Sequence, residues 1–338
     1  MKILGIETSC DETAAAIVED GVKDLASVVS SSRELHEKTG GIVPEVAARK
    51  QVDFMIPVLE ETLKQAKTDR FSAYEKTIDA IAVTVGPGLI GSLLVGVEAA
   101  KALALAWEKP LIPVNHLIGH IYANWLDNPR EIEFPAVVLV VSGGHTDLVL
   151  MRGHGDFEFL GGTLDDAAGE AFDKTARLLG LAKYLGGPQL SKLAATCKKN
   201  TLSGHLPRPM MAKPNFDFSF SGLKTAVKRL VENENYPRDV VACEFETAVV
   251  DVLVSKTIKA AQKYKVKTIL LGGGVSANTP LRSRIKSQAE SLGFDLHIPP
   301  LSLCTDNAIY IAGAAFFNNR SVELEKIDAD PSLGIMDL

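Results

Sequence analysis

One arrangement of strands and turns occurs twice along this chain of 338 residues. In the first half, an apolar strand from Lys2 to Glu7 runs into a small polar turn, and the strand from Thr13 to Glu19 returns toward a third strand that ends near Ser31. An amphipathic helix follows, then a buried strand that ends in the glycine-containing turn 86–88, a long helix and a last strand. These patterns predict the order β-β-β-α-β-α-β.

The second half repeats this order. The strand from Ala136 to Val141 leads into the Ser-Gly-Gly-His turn of residues 142–145, and the buried strand from Thr268 to Leu271 ends at three successive glycines. A closing helix is predicted near Asp306. Gly-rich turns between a strand and a helix present backbone N–H groups to bound anions. One such turn is common in α/β proteins, but four in matching positions predict two α/β halves around a nucleotide-binding cleft.

The composition indicates a globular chain with no overall attraction for polyanions. Hydrophobic residues make up 46% of the chain, which excludes a disordered protein. The 42 acidic residues exceed the 36 basic residues, so the net charge is −6 and binding to nucleic acid would need a local basic patch or a partner. The four cysteines lie far apart, which is typical of free thiols in a reducing cytoplasm.

No segment of the sequence is expected to enter a membrane. Glu7 interrupts the first apolar stretch before the core of a secretory signal can form. The most apolar stretch, Gly86 to Val97, contains further glycines and runs into Glu98 and Lys101. Because this stretch is too short and too interrupted to span a bilayer, we expect a cytoplasmic protein.

Two histidines, His116 and His120, stand four residues apart just after a predicted strand. With Asn115 as the N-cap of a helix, both rings lie on one face, and this spacing suits a single metal ion. The apolar neighbours are expected on the other side, which would leave the histidines on a free face. Histidines at this spacing are more often ordinary surface or core residues, and the glutamate of the H-E-x-x-H metalloprotease pattern is absent. The pair alone therefore leaves both interpretations open.

An acidic segment and an aromatic loop follow in the second half. Asp166 and Asp173 share one face of a helix that is predicted to begin with Thr163 as its N-cap. Acids near the start of a helix usually interact with its dipole, an explanation that is weaker for Asp173, about three turns in.

The loop Lys213–Thr225 interleaves phenylalanines with small polar residues, so it either contacts a substrate base or RNA, or fills a core. Candidates for a local basic patch are Arg208, Lys213 and Lys224.

Seven short motifs, taken together and in this order, resemble those of one enzyme family. They are GIETSCDET at 5–13, HxxxH at 116–120, VSGGHT at 141–146, DDAAGEAFDK at 165–174, FSFSGLK at 218–224, GGVSAN at 273–278 and CTDN at 304–307. Over nearly its whole length, the chain resembles the tRNA N6-adenosine threonylcarbamoyltransferase family, and it is most similar to the bacterial form.

This resemblance implies an α/β fold of the actin, Hsp70 and sugar-kinase type, in which two duplicated ribonuclease-H-like lobes enclose a central cleft. The first lobe would contain residues 1–131 and 309–338, and the second lobe residues 132–308. The implied reaction transfers the threonylcarbamoyl group of threonylcarbamoyl-adenylate to N6 of adenosine 37 in tRNAs that read ANN codons, and it releases AMP.

The resemblance also implies the residues of the site. One divalent metal ion, iron or zinc, would be held by His116, His120 and Asp306. The adenine nucleotide would contact Val140, Val141, Ser142, Gly143, Gly144, Asp173, Gly187 and Asn278. In the first polar turn, Asp11 and Glu12 are candidates for activating the adenine amine. The implied partners are tRNA, a paralogous non-catalytic subunit and a small ATPase, while a separate synthase would make the adenylate.

Three positions depart from the family pattern. Gly162 replaces a glutamate, Leu185 replaces a proline, and Ser191 replaces an acid that helps to bind the ribose. Other function classes also remain open, namely a non-catalytic scaffold like the paralogous subunit, or an ATP-dependent sugar kinase or chaperone of the same fold. A glycoprotein-cleaving metalloprotease has little support, because the histidine pair lacks its glutamate.

Overall fold

A computed structural model of the chain describes residues 1–66, 77–128, 130–233 and 236–337. The chain divides into two compact units. Unit 1 comprises Met1–Ile132 and Pro299–Leu338, and unit 2 comprises Glu133–Ile298. The C-terminal segment of unit 1 starts at Pro299 and not at the expected position 309, so Asp306 belongs to unit 1.

The strands of unit 1 form a mixed sheet in the order β3-β2-β1-β4-β5. They are β1 (Lys2–Glu7), β2 (Glu12–Glu19), β3 (Lys23–Ser31), β4 (Ala80–Gly86) and β5 (Leu111–Asn115). β1 pairs antiparallel with β2 and parallel with β4, and β4 pairs parallel with β5. Because β1, β4 and β5 run in the same direction, Glu7, Gly86 and Asn115 end their strands at the same edge of the sheet.

The strands of unit 2 form a second mixed sheet in the order β10-β9-β6-β7-β8. They are β6 (Ala136–Val141), β7 (Thr146–Gly153), β8 (Asp156–Gly162), β9 (Thr268–Gly272) and β10 (Asp295–His297). β6 pairs antiparallel with β7 and parallel with β9, as β1 does with β2 and β4. The repeated α/β organisation predicted from the sequence is therefore confirmed.

The helices of the described chain connect and cover these sheets. They are α1 (Arg33–Thr39), α2 (Pro44–Gln65), α3 (Ile90–Trp107), α4 (His116–Tyr122), α5 (Ala168–Leu178), α6 (Gly187–Ala194), α7 (Ser221–Asn233), α8 (Arg238–Tyr264), α9 (Thr279–Leu292) and α10 (Ile309–Asn318). In unit 1, side chains alternate along β1, so Leu4 and Ile6 pack with α2 and α3, while Gly5 lies against Ala308 at the start of α10. α10 therefore covers the opposite face of the sheet from α2 and α3.

Helix α3 is the long helix predicted after the turn 86–88, and it ends at Trp107, beyond the most apolar stretch Gly86 to Val97. Among the described residues it is the only helix long and apolar enough to cross a membrane by those two criteria alone. Its buried side chains, including Val97 and Ala100, pack into the core of unit 1. At Gly96 an added Cβ would lie 2.3 Å from Oγ1 of Thr8, so helix and first turn are in close contact. These are the contacts of a core helix.

The aromatic loop of unit 2 belongs to the core. Phe216, Phe218 and Phe220 are buried among the apolar residues of α5 and α8, so the core-filling interpretation of this loop is confirmed. Asp165 holds the loop by accepting hydrogen bonds from both Ser219 and Ser221.

Because Asp165 is engaged in this way, the segment after β8 is not yet helical. Helix α5 begins only at Ala168, and the predicted N-cap at Thr163 is wrong. The Oγ1 of Thr163 instead donates a hydrogen bond to the carbonyl of Asp166 at 2.8 Å.

Candidate metal centre and anion-binding turns

Two histidines project from the short helix α4, directly after β5. Asn115 caps the helix as predicted, because its Oδ1 accepts a hydrogen bond from the N–H of Leu117 at 2.9 Å. The rings of His116 and His120 then lie edge to face with centroids 4.6 Å apart. Every residue of α4 is buried, so the expectation of a free histidine face is wrong.

The reason for this burial is the packing of α4 against α10. Gly119 allows the close approach, since an added Cβ there would lie 2.7 Å from Cδ2 of Tyr310 and 2.8 Å from Cδ1 of Ile311. The same packing brings Asp306, just before α10, over the two imidazoles.

Asp306 completes a set of three donors with the two histidines. Its Oδ1 lies 3.5 Å from Nε2 of His116 and 3.5 Å from Nε2 of His120. These distances are long for hydrogen bonds, but ligands about 2.1 Å from a metal in tetrahedral arrangement lie about 3.4 Å apart. The three ligand atoms all lie within 4.8 Å of one another. Two imidazole nitrogens and one carboxylate oxygen thus fit a divalent transition-metal ion and leave coordination positions open.

Glu7, at the end of β1, lies behind His116 and was not among the site residues predicted from the sequence. Its fully buried Oε2 lies 3.1 Å from Nδ1 of His116 and accepts a hydrogen bond from Thr84 Oγ1 at 2.5 Å. Its Oε1 accepts one from the N–H of Ser9, also at 2.5 Å. Such a carboxylate orients a metal-binding imidazole so that the other nitrogen faces the ion. The sequence signal that could have identified Glu7 is an acidic residue at the end of a strand that is otherwise apolar.

The charges of this centre depend on one another. Burial by itself lowers the pKa of His116, but the carboxylates of Glu7 and Asp306 outweigh it and raise that pKa to about 9. Burial raises the pKa of Glu7, yet the neighbouring His116 and the hydrogen bonds from Ser9 and Thr84 bring it below its usual value. For Asp306, burial raises the pKa to about 6 even though His116 acts in the opposite direction. Without a metal ion, a protonated His116 therefore balances two buried acids.

Asp11 lies in the turn between β1 and β2, and Glu12 is the first residue of β2, in the same unit as the donor set. Burial, a hydrogen bond with Asp11 and the charge of Asp306 raise the pKa of Glu12 to about 10. This shift favours the protonated form of Glu12, which can donate a hydrogen bond. Gln51 fixes the turn, because its side-chain amide donates to the carbonyls of Thr8 and Cys10 at 3.1 and 2.9 Å.

In unit 2, the turn after β6 exposes backbone N–H groups. Val140 and Val141 are fully buried in β6, so only their backbone is available to a ligand. The turn is closed by the N–H of Ser142, which donates to the carbonyl of His145 at 2.8 Å. Gly143 and Gly144 are exposed, and within the described part of the chain their N–H groups make no hydrogen bond. These two groups are available to an anion.

The remaining predicted nucleotide-binding residues form two local contacts in unit 2. Oδ1 of Asp173 accepts a hydrogen bond from the N–H of Gly187 at 2.9 Å, which ties α5 to the start of α6. Asn278 caps α9 through Oδ1, and its Nδ2 donates to Oε1 of Glu246 at 2.7 Å and to Oγ of Ser191 at 3.1 Å. The acid beside Asn278 is thus Glu246, a buried residue on α8 that sequence reasoning did not identify.

Comparison with known proteins identifies the family. A family model described as tRNA N6-adenosine threonylcarbamoyltransferase matches residues 23–313. The chain belongs to this family. A relative of that name from Dehalococcoides mccartyi is 52% identical over 99% of both chains, and one from Bacillus subtilis is 51% identical over 93% of this chain and 89% of the relative.

Solved structures agree on the fold. HypF of T. kodakarensis superposes with a TM-score of 0.63 at 15% identity, over 93% of this chain and 47% of HypF. Component A of (R)-2-hydroxyglutaryl-CoA dehydratase from Acidaminococcus fermentans gives a TM-score of 0.52 at 17% identity, over 94% of this chain and 97% of that protein. The family and the α/β fold class predicted from the sequence are both confirmed.

Proposed function

We propose that this transferase moves the threonylcarbamoyl group from threonylcarbamoyl-adenylate to N6 of adenosine 37 in tRNAs that read ANN codons. The lone pair of N6 forms a bond with the carbamoyl carbon, the bond from that carbon to the phosphate oxygen breaks, and its electron pair leaves with AMP. The proton lost by N6 passes to a base of the protein. The match of residues 23–313 to the family model carries the proposal, and the donor set of His116, His120 and Asp306 supports a catalytic member over a scaffold.

The donor set is the proposed metal site of the enzyme. His116, His120 and Asp306 would hold one divalent ion, iron or zinc, and a bound ion would supply Lewis acidity toward the carbonyl and phosphate oxygens of the mixed anhydride. Glu7 holds the His116 ring in place through Nδ1, which leaves Nε2 for the ion. A scaffold has no need of such a preorganised set.

Proton transfer is assigned to Asp11, in the turn between β1 and β2, and to Glu12, the first residue of β2. The raised pKa of Glu12 favours its protonated form, which would donate a hydrogen bond, and Asp11 would receive the proton of the amine. The two acids are in hydrogen-bond contact, so Glu12 would hold the Asp11 carboxyl in position.

The adenylate is proposed to bind to residues of unit 2, mainly in its turns. The N–H groups of Gly143 and Gly144 would donate to its phosphate, and Val140, Val141 and Ser142 would contribute backbone contacts. Asp173, Gly187 and Asn278 would hold the nucleoside, and Glu246 stands beside Asn278 where the expected acid at position 191 is missing.

The family resemblance extends the proposal to partners and location. Beside tRNA, we assign to the chain a paralogous non-catalytic subunit and a small ATPase, and we place the reaction in the cytoplasm. The absence of an overall positive charge is consistent with a need for such partners in tRNA binding.

Reconstitution tests the proposal. The full chain is incubated with the paralogous subunit, the ATPase, an unmodified tRNA transcript and threonylcarbamoyl-adenylate made in situ, and the digested nucleosides are analysed by mass spectrometry. Wild type is expected to form N6-threonylcarbamoyladenosine, while His116→Ala and Asp306→Ala lose bound metal and activity without unfolding. The exposed His205→Ala serves as a histidine control that keeps both.

Two results would contradict the proposal. Absence of the modified nucleoside with folded, metal-loaded wild type and active partners would favour the scaffold, or an ATPase if ATP is consumed. Full activity of a metal-free His116→Ala variant would remove the metal from the mechanism.

A further inference from the structure

Four basic side chains surround one cavity on the surface of unit 2. The cavity has a volume of about 320 Å³ and lies between helices α5 and α7. Its lining residues are Lys174, Arg177, Leu178, Lys224, Thr225 and Lys228. Lys174 and Arg177 are three residues apart on α5, and Lys224 and Lys228 are four apart on α7, so each pair shares a helix face.

Acids pair with two of the four basic side chains of this cavity, Lys174 and Lys224. Nζ of Lys174 lies 2.7 Å from Oδ1 of Asp166 and 2.8 Å from Oε1 of Glu170. Nζ of Lys224 lies 3.3 Å from Oδ2 of the same Asp166. Asp166 thus contacts both lysines and Glu170 contacts Lys174. The two carboxylates hold the two ammonium groups in position and balance their charges.

The other two basic side chains, Arg177 and Lys228, retain available positive charge. Arg177 is exposed, and among the described residues no carboxylate pairs with its guanidinium. Within the described ranges, Lys228 makes one ion pair, in which its Nζ lies 3.7 Å from Oε1 of Glu232, and both side chains are more than half exposed. An exposed ion pair of this kind has little attraction energy in water. Arg177 and Lys228 therefore both remain available to a ligand.

Two of the three residues of the basic patch expected from the sequence are paired with acids. Arg208 is largely buried and its guanidinium pairs with both Glu244 and Asp251. Lys224 pairs with Asp166, and the exposed Lys213 does not line the cavity, so the charge available within the cavity comes from Arg177 and Lys228. A planar guanidinium and a mobile ammonium on opposite walls of a cavity of nucleotide size match the phosphates of an RNA backbone.

We propose that the cavity between α5 and α7, lined by Arg177 and Lys228, binds a backbone phosphate of the tRNA substrate. The proposal rests on the transferase function and locates a contact between tRNA and unit 2. Lys174 and Lys224 hold the walls of the cavity, while Arg177 and Lys228 donate to the phosphate oxygens. The contact is independent of base sequence, since phosphates carry no sequence information.

The test compares two double variants that lose the same charge. Arg177→Ala/Lys228→Ala removes the two cations of the cavity, and Arg152→Ala/Lys286→Ala removes two exposed, paired cations elsewhere in unit 2. For each protein, the KM for an unmodified tRNA transcript is measured in the reconstituted reaction at several salt concentrations, and direct tRNA binding is measured by filter retention. Melting temperatures check that both variants are folded.

The cavity variant is expected to raise the KM for tRNA about tenfold and to reduce by about 1 the slope of log affinity against log salt, since one phosphate contact is lost. The control variant is expected to keep both values. An unchanged KM and slope in the cavity variant would overturn the inference, and so would weaker binding of the paralogous subunit with tRNA affinity intact, which would assign the cavity to an acidic protein surface.

Failure of the transferase function itself would look different. Wild type would then bind tRNA but form no modified nucleoside, and the filter assay would still decide whether the cavity contributes to binding. Wild type that retains no tRNA on the filter and modifies none would overturn both proposals.

Discussion

At the scale of single residues, the three donors of the proposed metal site depend on a neighbour that is not itself one of them. Glu7 is fully buried, and its carboxylate accepts hydrogen bonds from Ser9 and Thr84 while it faces Nδ1 of His116. An ionised acid in this position fixes the imidazole ring and increases the basicity of Nε2. A neutral amide of the same shape would keep the packing and lose both effects.

Glu7→Gln is therefore expected to lower metal affinity about 10- to 100-fold and to reduce transfer activity at limiting metal. Titration with a competing chelator measures the affinity, and added metal should restore part of the activity. Glu19→Gln, the same change on a half-buried residue at the end of β2, away from the donor set, is the control. Equal metal affinity in the Glu7→Gln protein and wild type would contradict the role assigned to Glu7.

A second residue-scale effect concerns Gly162, which replaces the glutamate of the family pattern. Asp147 lies opposite Gly162 in the sheet, and an added Cβ at position 162 would be 2.4 Å from its Oδ1. The side chain of Asp147 thus occupies the space above the glycine. Burial raises the pKa of Asp147 to about 6.

This raised pKa predicts a pH dependence of stability. The folded state holds the Asp147 proton more tightly than the unfolded chain, whose aspartates titrate near 3.9, so the stabilisation is complete below about pH 4 and is lost as pH rises through 6. Asp147→Asn should raise the free energy of unfolding at pH 7 by roughly 1–3 kcal/mol and flatten its change between pH 4 and 6. Urea unfolding at several pH values measures both, and an unaltered pH profile would contradict the assignment.

At the scale of elements, α5 positions the turn after β6. An added Cβ at Gly169 would lie 2.5 Å from the carbonyl oxygen of Ser142, and the N–H of Gly169 donates to that oxygen at 3.2 Å. Because the obstacle is backbone, it cannot rotate away as a side chain would. The geometry of the exposed N–H groups in this turn therefore depends on Gly169, in the first turn of α5.

Gly169→Ala is expected to displace the turn and weaken AMP binding by about tenfold or more, since a phosphate site depends on the alignment of its N–H donors. Calorimetric titration with AMP measures this effect. Gly222→Ala on α7 is the matched control, because an added Cβ there has no neighbour within 4 Å. Wild-type affinity in the Gly169→Ala protein would show that the turn does not bind the phosphate.

At the scale of the whole molecule, the two units differ in how the chain builds them. Unit 2 is continuous from Glu133 to Ile298, whereas unit 1 needs the segment that starts at Pro299. That segment supplies α10, which packs on β1 and β2, and it also supplies Asp306. The fold and the metal centre of unit 1 therefore both require residues from the two ends of the chain.

A fragment of residues 133–298 is thus expected to fold cooperatively by itself, while a fragment of residues 1–132 is expected to remain largely unfolded because the sheet face under α10 stays uncovered. Circular dichroism and thermal melts of both fragments test this. Adding residues 299–338 to the second fragment in trans should restore helix content. A stable, cooperatively folded 1–132 fragment would contradict the dependence on α10.

The sequence by itself determined the order of strands and helices, the two similar halves, the family, and the positions of the histidine pair, the acidic turn and the Gly-rich turns. These features are local, since they depend on alternation, helical periodicity and the residues that turns require. Only the tertiary structure decided that Glu7 meets His116, that burial and neighbouring acids raise the pKa of Glu12, that Arg208 forms ion pairs with buried acids and that Asp306 belongs to unit 1. Each of these depends on burial and on charges brought together from distant parts of the chain, and no local pattern encodes the pKa or the pairing that results.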